Sequence, residues 1–326
     1  MSATTAEVAA PASGEDRKGR VLGWLQEYGV YAAIVVLLAF NGILKPSFLS
    51  LQNFRVQTYQ AVPVLVIALG MALVIATEGI DLSVGAVIAL SSAVIPLYLG
   101  YGPWVSILLA LAAGALSGVL AGSMVAFARV QPIVATLALM IGVRGFAVMV
   151  NGAAAKSVTN PTLLALGLNS WLGVPQMAVI ALVIVLVIVF VVHRTTFGRQ
   201  LMAIGDNRAA SALSGLPVRR VLMTVYVSSG VLAALAGVFL VGHGSYADPS
   251  NYGLNYELSA ITAVVVGGTP LSGGRIRVLG TVAGAVFMQL ITATLIQHDI
   301  KNSYEQMVEA VIIIGAVYAA RGRTGR

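Results

Sequence analysis

The stretch HRTTFGRQLMAIGDNRAASALSGLPVRR, residues 193–220, is the longest polar interruption in an otherwise apolar chain. It carries five arginines and a single acid, Asp206. Its glycines at 198, 205 and 215 divide it into two short amphipathic runs. A flexible tether needs none of these features, so the segment is predicted to be a structured loop.

The middle of this segment has the pattern of a docking surface. Asn207 is a favourable N-cap residue, and we predict a short helix directly after it. Ala209, Ala210 and Ala212 would let the surface of another protein approach this helix closely. Gly215 would supply the tight turn that ends it.

The composition around the segment excludes a water-soluble domain. Hydrophobic residues make up 58% of the 326 residues and charged residues only 10%, and the mean hydropathy is +0.92. These values predict an all-α, polytopic membrane protein. The chain has no cysteine, which excludes disulfides and thiolate chemistry, and its three histidines are scattered rather than clustered as metal ligands.

Ten apolar runs are predicted to form transmembrane helices across about 30 Å of hydrocarbon. They cover residues 29–44, 61–77, 84–100, 104–128, 132–150, 173–192, 221–241, 258–268, 278–297 and 307–320. The run 258–268 is short, so it is either a half-helix or uses flanking residues. Residues 1–22 are predicted to be a disordered tail, and residues 23–326 to form one transmembrane domain.

The basic residues orient these spans. With six spans before residues 193–220 and four after, 14 of the 19 Lys and Arg residues lie on one side of the membrane. Basic residues are enriched on the cytoplasmic side. Both termini and the segment 193–220 are therefore predicted to be cytoplasmic. Because the arginines flank apolar segments, their charge does not indicate nucleic-acid binding.

Four charged residues are candidates for a translocation pathway: Glu78, Asp81, Arg144 and Glu257. Glu78 and Asp81 interrupt an apolar stretch. Either they form a carboxylate pair that binds a coupling ion, or they have only a local structural role at the turn before the next helix. In the local interpretation Asp81 or Ser83 caps the next helix and Gly79 makes the turn. Arg144 is the basic residue inside a predicted span, so it must face the protein interior or a wet cavity.

Two further stretches have weaker signals. Residues 267–284 are rich in glycine, but they lack the G-x-x-x-x-G-K-[ST] pattern of a nucleotide-binding loop, and we predict a tight turn between packed helices. The segment 242–257, which ends at Glu257, is rich in Tyr and Asn. This composition suits contact with sugar or protein, and equally an aromatic belt.

Several motifs together resemble the ribose-type permeases of bacterial ATP-binding-cassette (ABC) sugar importers. They are EGIDLSVG at 78–85, TFGR at 196–199, AIGDN at 203–207, LSG at 213–215 and VVVGGTPLSGG at 264–274. The resemblance covers residue 46 to the C-terminus. It implies an inner-membrane permease for a monosaccharide, with no catalytic residues of its own.

The resemblance also implies partners. These are a second permease, identical or homologous, two cytoplasmic ABC ATPases and an extracytoplasmic sugar-binding protein. ATP and Mg²⁺ would bind to the ATPases, and this chain would bind no cofactor. The residues implied to contact the ATPase are Phe197, Gly198, Arg199, Gly205, Asn207, Arg208, Ala209, Ala210, Leu213 and Gly215. The alternative function is an ion-coupled secondary transporter of a small polar solute.

Overall fold

The computed structural model describes residues 14–152 and 154–298, and beyond them residues 304, 307, 310, 311, 314 and 315. The described helices are α1 (Gly14–Leu44), α2 (Leu51–Ala76), α3 (Val84–Tyr98), α4 (Pro103–Ala126), α5 (Pro132–Asn151), α6 (Pro161–Leu168), α7 (Gln176–Arg194), α8 (Thr196–Asp206), α9 (Arg208–Leu213), α10 (Val218–Gly244), α11 (Tyr256–Val266) and α12 (Val278–Gln297). The strands are β1 (Lys156–Ser157), β2 (Ser170–Trp171), β3 (Val174–Pro175) and β4 (Tyr246–Ala247).

The first nine predicted spans each coincide with a described helix. Seven helices are long and apolar enough to cross a membrane: α2, α3 with the 3-10 turn that follows it, α4, α5, α7, α10 and α12. The predicted short run 258–268 is the 11-residue helix α11. The tenth predicted span, 307–320, lies mostly outside the described residues.

The predicted tail at residues 1–22 needs one correction. Helix α1 begins at Gly14, so residues 14–22 are helical instead of disordered. Glu15, Arg17 and Lys18 are good helix formers, and they continue directly into the apolar part of α1. Residues 1–13 lie outside the described residues.

Helix α10 is the centre of the bundle and packs against α2, α3 and α4. The contact with α4 is made by glycines: a Cβ on Gly114 would overlap the Gly230 carbonyl oxygen, and a Cβ on Gly230 would overlap that of Gly114. Such close approach between backbones is how helices associate in lipid, where burial of apolar surface gives little driving force. Part of the high glycine content of the sequence therefore allows close contact between helix backbones.

The two ends of the bundle differ. At one end β1 pairs antiparallel with β4, and α6 lies beside them; we call this the β1–β4 end. At the opposite end α8 and α9 follow α7; we call this the α8–α9 end. The strands were not predicted, because two-residue strands leave no periodic pattern in a sequence.

Helices α3 and α11 both begin inside the bundle. Their N-terminal segments meet where Gly85 of α3 contacts Gly253, which precedes α11. A Cβ on either glycine would overlap the carbonyl oxygen of the other, and Gly253 also has a φ of 75°. Only glycine combines this backbone conformation with this approach.

Candidate functional site

The polar segment 193–220 folds into two helices, α8 and α9, joined at Asn207. Asn207 Oδ1 accepts a hydrogen bond from the Ala210 N–H at 2.9 Å, which confirms the predicted N-cap. Gly215 has a φ of 77° and makes the turn that follows α9, as expected. The segment is therefore a structured element.

The outer face of α9 is apolar and uncovered. Ala209, Ala210 and Ala212 are all exposed, and Leu213 keeps 90% of its surface open. Arg199 on α8 is also exposed. This is a flat patch of small side chains with one protruding leucine, a shape suited to close contact with another protein.

The inner face of the segment is fixed to the bundle. Gly205 lies against the last turn of α2, where a Cβ would overlap the Ala76 carbonyl oxygen. Arg208 Nη2 donates a hydrogen bond to the Thr77 carbonyl oxygen at 3.2 Å. The Gly274 N–H donates to the Ala76 carbonyl oxygen at 3.1 Å. These contacts hold α8 and α9 against the end of α2.

The junction of α7 and α8 fixes the direction of the segment. Gly198 packs so tightly that a Cβ would overlap the Val192 carbonyl oxygen. Phe197 is half-buried and packs against the main hydrophobic core. These contacts set the angle at which α8 leaves the bundle.

Asp81 lies in the segment between α2 and α3 and is 2% exposed. Its Oδ1 accepts hydrogen bonds from the Ser83 N–H at 3.0 Å and the Ser83 hydroxyl at 2.6 Å. Its Oδ2 accepts from the Ser229 hydroxyl of α10 at 2.8 Å. The carboxyl group thus holds the start of α3 to the middle of α10.

The turn before Asp81 differs from the prediction that Gly79 makes it. Glu78, not Gly79, takes the left-handed conformation, with a φ of 64°, and its side chain is exposed. Gly79 is needed for space, because a Cβ there would lie 2.7 Å from the Tyr226 hydroxyl. Ser83 is the N-cap residue of α3, although its side chain makes no capping hydrogen bond.

Arg144 and Glu257 lie together at a cavity of about 430 Å³ between α5 and the start of α11. Arg144 Nη2 donates to the Gly253 carbonyl oxygen at 2.9 Å, and Nη1 donates to that of Tyr252 at 3.3 Å. Glu257 Oε2 is a buried atom with no hydrogen-bond partner among the described residues. We call this space the polar cavity; its lining residues are Met140, Ile141, Arg144, Gly145, Leu254, Asn255 and Glu257.

The two stretches with weaker signals both fold against the bundle. The glycine-rich residues form the turn between α11 and α12, as predicted, and a Cβ on Gly267 would overlap the Gly280 carbonyl oxygen. In the segment 242–257, Tyr246 and Tyr252 stack with ring centroids 5.2 Å apart. The Tyr252 hydroxyl donates to the Leu240 carbonyl oxygen at 3.3 Å.

Sequence reasoning missed Ser229 and Thr136. The Thr136 hydroxyl of α5 lies 3.0 Å from the Pro132 carbonyl oxygen of its own helix and 3.1 Å from the Ile80 carbonyl oxygen in the segment between α2 and α3. A polar residue inside an apolar span was the available signal for both, because such a side chain needs a partner within the protein.

Seven long apolar helices define a multi-pass membrane protein, with a charged cavity and the exposed helix α9. Residues 56–317 match the family described as the permease component of the branched-chain amino acid transport system. The chain belongs to this family. It is a transport protein and lies in the inner membrane.

Relatives with assigned substrates cover most of the chain. The ribose import permease of Escherichia coli K12 is 38% identical over 300 residues, which are 90% of this chain and 93% of that protein. The galactofuranose transporter permease of the same organism is 35% identical over 292 residues, 86% of each chain. The fructose import permease of Bifidobacterium longum is 38% identical over 256 residues, 77% of this chain and 72% of that protein. No solved structure matches the chain.

Proposed function

We propose that this chain is the transmembrane permease of an ABC importer and carries a monosaccharide across the inner membrane by alternating access. The three named relatives act on ribose, galactofuranose and fructose, which supports a pentose, a hexose or a related sugar as the substrate. The observation that carries the proposal is α9, a capped helix whose small, exposed face has no partner within the described part of the chain.

The partner for α9 is an ABC ATPase. The exposed alanines would seat α9 in a cleft of the ATPase, and the protruding Leu213 would fill a pocket there. ATP and Mg²⁺ bind to that subunit, and this chain binds no cofactor. A second permease, identical or homologous, and an extracytoplasmic sugar-binding protein complete the assembly.

The proposed orientation places both termini and the α8–α9 end in the cytoplasm, with ten spans in total. The charge distribution supports it. Basic residues collect at the α8–α9 end, including a contact of Arg219 over the Phe127 ring at 5.7 Å. Basic residues there include Arg129, Arg194, Arg199, Arg208, Arg219, Arg220, Arg275 and Arg277, whereas Lys45, Arg55 and Lys156 lie toward the β1–β4 end.

The coupling route starts at α9. Movement of the ATPase shifts α9, and the contacts of Gly205 and Arg208 pass the shift to Ala76 and Thr77 at the end of α2. The chain from Glu78 to Ser83 then carries it inward, because Asp81 is held to Ser229 of α10. Packed, hydrogen-bonded elements of this kind move as units instead of deforming continuously.

Uptake into proteoliposomes tests the proposal. The permease, its ATPase and its sugar-binding protein are reconstituted together, and radiolabelled D-ribose and D-fructose are supplied outside. We expect uptake only with ATP at the ATPase side, unchanged by ionophores that collapse proton and sodium gradients. Uptake that follows an ion gradient without ATP would instead establish the secondary transporter.

A further inference from the structure

Tyr226 is a long side chain inside the bundle whose hydroxyl group has no evident use in the fold. It lies on α10 and is 0% exposed. Its backbone is fixed against α4, because a Cβ on Gly118 would overlap the Tyr226 carbonyl oxygen. The hydroxyl is a buried group with no hydrogen-bond partner among the described residues. A buried donor without an acceptor costs free energy, and phenylalanine at this position would avoid that cost.

The Tyr226 hydroxyl faces the segment between α2 and α3. A Cβ on Gly79 would lie 2.7 Å from it, and it lies within electrostatic range of Asp81 and Arg208. The Asp81 carboxyl group accepts a hydrogen bond from Ser229, three residues after Tyr226 on α10. Residues three apart are neighbours on one face of a helix. Helix α10 therefore presents two hydroxyl groups to the segment, and Asp81 accepts from one of them.

The two hydroxyl groups lie at different depths along α10. The backbone positions of Tyr226 and Ser229 are about 4.5 Å apart along the helix axis, at 1.5 Å per residue. Side chains of a helix tilt toward its N-terminus, and α10 begins at the α8–α9 end. The longer tyrosine therefore places its hydroxyl nearer to that end. A movement of the segment toward the α8–α9 end would carry the Asp81 carboxyl group from the serine hydroxyl to the tyrosine hydroxyl.

Ser229 loses little when Asp81 moves away. A serine inside a helix can donate to the carbonyl oxygen four residues earlier in its own helix, which for Ser229 is that of Val225. The Tyr226 hydroxyl is held away from its own backbone by the ring, so it depends on an acceptor from another element. Exchange of one hydroxyl for the other thus connects two positions of similar free energy, as a two-state element requires.

We propose that Tyr226 is a positioning residue for coupling, and that Asp81 accepts from its hydroxyl in a second position of the segment between α2 and α3. The inference rests on the proposed function. In this structure Ser229 holds the carboxyl group. When the ATPase draws α9 away from the bundle, the bond of Arg208 to Thr77 transmits the movement, and the carboxyl group passes to Tyr226. Packed elements in switching proteins shift between discrete positions in this way.

The distance between two spin labels tests the second position. Glu78→Cys in the segment and Ser157→Cys in β1 both replace exposed side chains, and the chain has no cysteine of its own. Double electron–electron resonance is recorded in lipid nanodiscs, without and with the ATPase and ATP. We expect a second distance, longer by up to about 4.5 Å, because the segment moves away from the β1–β4 end.

Two variants should shift the populations of these distances in opposite directions. Ser229→Ala removes a hydrogen bond of the first position, so the ratio of the longer to the shorter distance should rise about tenfold. Tyr226→Phe removes a hydrogen bond of the second position, so the same ratio should fall about tenfold.

Tyr226→Phe also separates this role from a purely structural one. The thermal midpoint of the purified chain should stay unchanged or rise slightly, because the hydroxyl has no partner among the described residues. The control is Tyr59→Phe, which removes a hydroxyl that donates to the Leu168 carbonyl oxygen at 2.9 Å and should lower the midpoint. In the reconstituted importer, Tyr226→Phe should retain the ATPase, while its sugar uptake falls about tenfold.

Three results would overturn the proposal. They are a single distance that neither variant changes, wild-type sugar uptake in Tyr226→Phe, and a lowered thermal midpoint in Tyr226→Phe, which would show that the hydroxyl is already bonded in this state. Failure of the proposed function looks different. The ATPase and ATP would then leave the wild-type distances unchanged and drive no uptake, while Ser229→Ala and Tyr226→Phe would still shift the distances in opposite directions.

Discussion

Arg208 of α9 donates a hydrogen bond to the carbonyl oxygen of Thr77 at 3.2 Å. The two residues are 131 positions apart in sequence, and the bond joins the exposed docking helix to the last turn of α2. The guanidinium therefore points toward the bundle and not outward to the proposed ATPase. Arg208 positions α9, and the exposed alanine face is left for the proposed contact with the ATPase.

Arg208→Ala should consequently be mild. It removes one hydrogen bond to a neutral carbonyl group, worth about 1 kcal/mol. We expect the ATPase to be retained on purification and sugar uptake to fall severalfold at most. Complete loss of the ATPase in this variant would mean that the guanidinium contacts the partner directly.

Gly205→Ala should be more severe than its size implies. The added Cβ overlaps the Ala76 carbonyl oxygen, and forcing the backbones apart costs about 1–3 kcal/mol. The thermal midpoint of the detergent-purified chain should fall. Gly29→Ala on α1 meets no described atom within 4 Å and should leave the midpoint unchanged or slightly higher. Equal midpoints for the two variants would refute the contact.

Ser229→Ala should destabilise the segment between α2 and α3. Loss of a donor to the buried Asp81 carboxyl group costs about 1.5–3 kcal/mol. The matched control is Ser91→Ala, which removes a buried hydroxyl that donates to the neutral Ala234 carbonyl oxygen at 2.7 Å. The control should cost about 1 kcal/mol. In a double-mutant cycle, Asp81→Asn should be non-additive with Ser229→Ala; additive losses would argue against the hydrogen bond.

The sequence predicted what depends on local rules. Asn207 as a helix cap and Gly215 as a turn each follow from a few neighbouring residues, and the structure confirms them. For the run 258–268 the sequence left a half-helix and a longer span open, and the structure gives the 11-residue α11. The contact of Gly205 with Ala76 and the bond between Ser229 and Asp81 were not predictable, because each depends on how distant helices pack. The left-handed conformation of Glu78 was not predicted either, and the close approach of the Tyr226 hydroxyl to Gly79 depends on how α10 packs.

Only one of the two charged residues of the polar cavity could be interpreted from the sequence. Arg144 was identified because a cation inside an apolar span needs a polar environment. Its proximity to Glu257 requires knowing that α11 begins inside the bundle, where Gly85 and Gly253 allow close contact. The residue composition does not indicate that the chain turns back into the bundle before α11.

Cysteine labelling should establish the orientation. Ser157→Cys in β1 and Ser214→Cys after α9 both replace exposed side chains in a cysteine-free chain. An impermeant maleimide should label Ser157→Cys in spheroplasts and Ser214→Cys only in inside-out vesicles. Labelling of Ser214→Cys in intact spheroplasts would reverse the proposed topology.

The most direct measurement for the whole account is retention of the ATPase by Ala210→Trp, with Ala210→Ser as the control. Ala210 is exposed on α9, so tryptophan there leaves the packing of the spans intact while separating two surfaces that must lie in contact. We expect the tryptophan variant to insert normally, to lose the ATPase on purification and to import no sugar, whereas the serine variant behaves as wild type. Wild-type ATPase retention and sugar uptake in Ala210→Trp would contradict α9 as the coupling surface.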